Sequence, residues 1–108
     1  MRYHVAATAC VMLAMSLPSY ANGLFETRMR VLNAKADQCK REITSTGIAG
    51  RLCDSFERYQ DIIFRGSASR YIDHHMSNGD INASNQALVL HTIKNVALTS
   101  KLMLEATQ

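Results

Sequence analysis

Phe25, Met29, Leu32, Ala36, Cys39 and Ile43 recur at steps of 4, 3, 4, 3 and 4. That spacing gathers the apolar side chains on one side of a helix and scatters them across both faces of a strand. The segment is therefore read as an α-helix that buries a single stripe. Cys39 falls on the stripe, which predicts a buried sulfur. Thr44-Ser45-Thr46-Gly47 then breaks the helix, with Gly47 available for the left-handed conformation that closes one. A second stripe runs through Leu52, Phe56, Tyr59 and Ile63, supported by Cys53, Ile62 and Phe64. Gly66 and Ser67 mark its end and a new cap, after which Tyr71, Ile72 and Met76 fit a short third helix. Ser77-Asn78-Gly79-Asp80 is the strongest turn signal in the chain.

A last helix is expected from about Ala83 to Ala106, with Leu90, Ile93, Val96 or Ala97, and Leu104 along one side and Leu88, Leu98 and Met103 broadening it. Between Ile81 and Ser100 the only firm charge is Lys94. So weakly charged a helix is expected to be central to the bundle, with an oligomeric or partner surface as the alternative. No alternating stretch requires a sheet. The fold class is all-α: a small disulfide-stapled helical bundle of about four helices, one of them short.

The start of the chain, MRYHVAATACVMLAMSLPSYA, has one firm positive charge at Arg2, an apolar run from Val5 to Leu17, then Pro18 and the small-residue pattern Ser19-Tyr20-Ala21. These are the parts of a secretory signal peptide cleaved after Ala21. The run is too short for an ordinary membrane-spanning helix, so no stable transmembrane anchor is expected. Cys10 is followed by more apolar sequence, whereas a lipid-attachment cysteine closes such a run. The expected organisation is a signal peptide over residues 1–21 and one helical domain over residues 22–108. A domain this small has a marginal core unless a crosslink or partner supports it.

Export decides how Cys39 and Cys53 are read. In an oxidising compartment two remaining cysteines form one disulfide most simply. A redox pair of the thioredoxin kind needs two residues between its cysteines, and this spacing is far wider. The predicted disulfide joins the last turns of the first helix to the start of the second. It is a staple.

The formal charge of +3 does not indicate nucleic acid, because the basic residues are interspersed with nine acids and form no dense block. Asp73, His74, His75 and Asp80 have a composition that attracts zinc or copper, but adjacent histidines on a helix point about 100° apart and do not clamp one ion. No metal or other cofactor is expected. His91 is read as a packing residue in an apolar helix. Glu57 and Asp61 could face one substrate as a carboxylate pair, yet Asp54 with Arg58 and Asp61 with Arg65 explain the same residues as helix-surface ion pairs. No nucleophile and base are brought together by any spacing, and an enzyme is not expected.

Arg51, Arg58 and Arg65 are spaced by seven on the second helix, with Arg70 beyond its break. Arginine suits specific contacts because its planar group donates several oriented hydrogen bonds. With Tyr71 beside them, these residues are either a solvated charged face over core tyrosines or the candidate partner-binding face, suited to an acidic or carboxylate-bearing protein. A signal peptide followed by a small one-disulfide helical domain resembles several bacterial envelope modules: secretion pilotins, immunity proteins that neutralise exported toxins, periplasmic phage antiholins and small acid-stress chaperones. The resemblance carries over no functional residue. The expected function is that of a periplasmic, alternatively secreted, adaptor, inhibitor or immunity-type protein that binds one envelope or secreted protein. The alternative is a structural or chaperone-like protein acting through self-association or apolar client contacts.

Overall fold

The computed structural model describes residues 3–106, with side chains from Gly23 onward. It consists of four helices, α1 (Tyr3–Thr46), α2 (Arg51–Phe64), α3 (Ala68–Ser77) and α4 (Gln86–Ala106). Beyond the helical backbone of α1, the expected signal segment 1–21 lies outside the described residues. No helix among the described residues is long and apolar enough to cross a membrane.

The stripe that commits α1 to a helix is the core of the protein. Phe25, Met29, Leu32, Ala36 and Cys39 are all buried, joined by Cys53 and Phe56 of α2 and by Val89 and Val96 of α4. α1 packs against both α2 and α4, and α3 packs on α2. The central helix is therefore α1, and α4 is an outer helix. Asn85 reaches Glu26, and Asn95 reaches Asn33 and Asp37, so contact positions advance together and α4 runs parallel to α1.

The α1–α2 hairpin is closed by three devices. Thr44, Ser45 and Thr46 return their hydroxyls to the carbonyls of Lys40, Arg41 and Glu42, and Gly47, at φ 77°, ends the helix with its N–H on Ile43 O. Gly50 begins α2 without a capping side chain, and Glu42 of α1 supplies the cap. Its Oε1 accepts from Gly50 N at 2.8 Å and Cys53 N at 3.1 Å, and its Oε2 accepts from Leu52 N at 3.1 Å. A Cβ on Gly50 would sit 3.2 Å from that carboxylate, so the missing side chain lets the Glu42 acceptor approach without displacement. Cys39 and Cys53 form the predicted disulfide, with an S–S distance of 2.01 Å.

Two carboxylates on α1 couple this architecture to pH. Desolvation pushes the Glu42 carboxyl up, but its three backbone N–H donors and the nearby Arg51 charge outweigh that and hold it below the usual carboxylate range. The Asn95 amide holds Asp37 low against partial desolvation, with Lys40 acting in the same direction. A carboxyl with a depressed folded pKa stabilises above its unfolded value and loses that contribution as pH falls through the folded one. The melting temperature is thus expected to hold near neutrality and fall below about pH 4. In Glu42→Gln the fall should be shallower, starting from a lower neutral-pH melting temperature. Identical pH profiles for the two proteins would remove Glu42 from the account.

Burial departs from the expected pattern at several positions. Leu52, Ile62 and Met76 are exposed although the helical pattern assigns them to the apolar stripes. On α4 the expected side is turned around in part: Leu90, Ile93, Ala97 and Leu104 face outward, while Val96, the other expected option at its step, is buried with Val89, Thr92, Asn95 and Thr99 toward α1, and Leu88 and Met103 pack against the core as expected. Thr92 and Thr99 donate to the carbonyls of Leu88 and Asn95 one turn back, and Asn95 is satisfied by α1, so these polar groups enter the interface without an unmet hydrogen bond. His91 is exposed on α4 and is not a packing residue.

Candidate protein-docking face

The predicted arginines line two adjacent basins along α2. The first, of about 240 Å³, is formed by Arg51, Arg58, Ser55 and Tyr59 with Lys35 of α1. The second, of about 540 Å³, is formed by Arg65, Arg70, Tyr71 and His74 with Arg28 of α1. Ile62 belongs to both and is 67% exposed, so an apolar side chain stands on the ridge between two cationic hollows. No carboxylate lines either basin.

Local backbone structure positions the two central guanidinium groups. α2 ends at Arg65, which holds a left-handed conformation (φ 49°, ψ 42°) while its N–H bonds Asp61 O. Gly66 follows at φ 94°. Ser67 then caps α3, its Oγ accepting from Arg70 N at 3.1 Å. The sharp α2–α3 corner so formed places Arg65 and Arg70 on one basin wall. The left-handed region costs a non-glycine residue on the order of 1 kcal/mol. Arg65→Gly is accordingly expected to leave stability unchanged or raise it by up to about 1 kcal/mol, while weakening binding of an acidic ligand. Chemical denaturation and titration on the same variant measure both. A loss of stability with unchanged binding would contradict the assignment.

The floor of the larger basin is aromatic. Tyr71 packs against Phe25, Phe64 and His75, with ring centroids 6.0, 5.4 and 4.4 Å away. Burial pushes its phenol above the ordinary value, with Arg28 pulling the other way. Its hydroxyl is the one buried side-chain polar atom among the described residues without a hydrogen-bond partner. His75 is engaged in the fold: Nδ1 lies 2.6 Å from Asp80 Oδ2, and the ring stacks near Phe25 at 4.6 Å. Both His74 and His75 border the basin. Among the described residues no group of three His, Cys, Asp or Glu side chains could hold a metal ion.

In the smaller basin Lys35 donates to Ser55 Oγ at 2.8 Å, and its ammonium lies 5.8 Å from the Tyr59 ring centroid. A lysine that donates to a serine supplies no base to it, so this pair fixes the wall and does not activate the hydroxyl. The ring contact falls in the range of a cation–π interaction.

The ion pairs expected on α2 do not form. Among the described residues, the only Lys or Arg contact with a carboxylate is Lys40 with Asp37 at 3.4 Å, beside the His75 imidazole on Asp80. Arg58 and Arg65 thus stand without Asp54 and Asp61, which face a separate basin with Glu57 on the α4 side of α2. The short Asp and outward Arg side chains diverge around the helix, and exposed pairs contribute too little to hold them together. Arg28 and Lys35, which the sequence pattern does not place on this face, and Ile62, which it places in the apolar stripe, complete the face. Arg28 and Lys35 repeat on α1 the seven-residue spacing of the α2 arginines, a signal available in the sequence. Comparison of the chain with protein families, with curated proteins and with solved structures finds no match.

Proposed function

We propose that this protein is an exported, non-enzymatic binding module that docks one acidic envelope or secreted protein, acting in the periplasm as an adaptor, inhibitor or immunity-type partner. One observation carries the reading: Arg28, Arg51, Arg58, Arg65 and Arg70 surround exposed Ile62 and none makes an ion pair among the described residues. Arginine and an exposed apolar anchor are the elements that dominate binding energy at protein interfaces, and unneutralised charge steers an oppositely charged partner to the surface. Carboxylates on the partner would meet the guanidinium groups, and an apolar pocket would take Ile62. The N-terminal pattern supports export, and the Cys39–Cys53 disulfide suits an oxidising compartment.

The test is crosslinking of the tagged protein in its native host, with stringent recovery and mass spectrometry. One acidic protein at fixed stoichiometry is expected, and it should be lost when Arg58, Arg65 and Arg70 are replaced together. Recovery of the same proteins by wild type and variant would reject the reading. The alternative, a structural or chaperone-like role, draws support from the outward apolar residues of α4.

A further inference from the structure

The outer face of α4 carries a three-part pattern. Leu90, Ile93 and Ala97 form an exposed seam at steps of 3 and 4, with Leu90 52% and Ile93 39% exposed. This is the spacing by which two helices pack side by side. On one flank of the seam Lys94, with His91 and Leu98, borders a hollow shared with Lys40 of α1. Lys101 lies one heptad beyond Lys94 on the same flank. On the opposite flank Ser100 and Met103 border a hollow shared with Asp54, Glu57 and Asp61 of α2. Cations, apolar seam and carboxylates therefore run in parallel bands, the cation band ending where Glu105 follows Lys101 by one turn.

That arrangement is self-complementary in one orientation. A two-fold axis parallel to α4 lays seam on seam and exchanges the flanks, setting the lysine band of one copy against the carboxylate band of the other. A two-fold axis perpendicular to the helix sets lysine against lysine. Thr92, Asn95 and Thr99 share the inward side of α4 with Val89 and Val96, and Leu88 packs against the core, which leaves Leu90 and Ile93 on the face away from it. We propose that a second copy of this chain docks on α4, with the two α4 helices parallel and Lys101 of each facing the α2 carboxylates of the other. The surface is separate from the arginine face on α2 and α3, and the proposal stands independently of it.

Sedimentation velocity on the full chain over a concentration series tests it. The wild type is expected to shift from monomer to dimer. Leu90→Ser with Ile93→Ser should raise the dimer Kd at least about tenfold at unchanged helical circular dichroism, since both side chains already face solvent. Lys101→Glu should weaken association, and Lys101→Glu with Glu57→Lys should restore it. A wild type that stays monomeric throughout, or a dimer indifferent to the seam substitutions, overturns the proposal. Failure of the charge swap to restore association overturns the parallel orientation. Loss of the acidic partner in the Arg58, Arg65 and Arg70 variant leaves this experiment unaffected, because none of those residues lies on α4.

Discussion

Replacing Cys39 and Cys53 together with alanine is expected to lower the free energy of unfolding by about 3 kcal/mol. The two sulfurs are buried, belong to the central cluster and are separated by 14 positions in sequence. Breaking the bond returns to the unfolded chain the freedom that closure of such a loop removes. Small domains are stable by only about 5–15 kcal/mol in total, so this one link is a large share. The Glu42 cap spans the same hairpin and remains after the substitution, so the variant should stay helical while unfolding at lower denaturant. Urea unfolding of the wild type with and without reductant, beside the alanine variant, measures the effect. A midpoint unmoved by reductant would show that the cap and the α1 stripe suffice.

The largest effect on binding is expected from the triple variant Arg58→Ala, Arg65→Gly and Arg70→Ala. All three side chains are exposed and make no ion pair, so the fold should be unaffected while affinity for the acidic partner falls at least about a hundredfold. Wild-type affinity should weaken with added salt, because screening shortens the reach of exposed charges, and the variant should have lost most of that dependence. Titration at two ionic strengths measures both. A variant with wild-type affinity would show that the partner docks elsewhere.

The helical elements were legible wherever side-chain size and burial coincided. On α1 every step from Phe25 to Cys39 faces a neighbouring helix, so the stripe in the sequence and the stripe in the core are the same. Gly47, Gly66 and Ser67 were legible because backbone geometry and capping demand those residue types locally. α4 was misread because hydropathy alone cannot reveal that Thr92 and Thr99 satisfy themselves on their own helix, or that Asn95 meets Asn33 and Asp37 across the interface. With those polar groups satisfied, small β-branched residues turn inward and Leu90 and Ile93 turn out. The disulfide was legible from the number and spacing of the cysteines together with the expectation of export. The Glu42 cap was not, since it joins residues from two helices and replaces a side chain that Gly50 lacks.

The arginine row followed from its seven-residue spacing on α2. Arg28 and Lys35 repeat that spacing on α1, but that the two rows meet in one face depends on how α1 and α2 pack, which no single-helix pattern contains. Ile62 was assigned to the core because an isoleucine beside a buried stripe ordinarily belongs there. Its exposure between the two basins is the observation on which the proposed docking ridge rests.

Ile62 is therefore the position for the most direct test. A photo-crosslinking amino acid installed there, in the chain expressed by its native host, should yield one dominant adduct after irradiation, mapped to an acid-rich segment of a single exported protein. The same probe at Met76, exposed on α3 outside both basins, should not yield that adduct. Equal adducts from both positions, or none from Ile62, would contradict the assignment of this face as the docking surface.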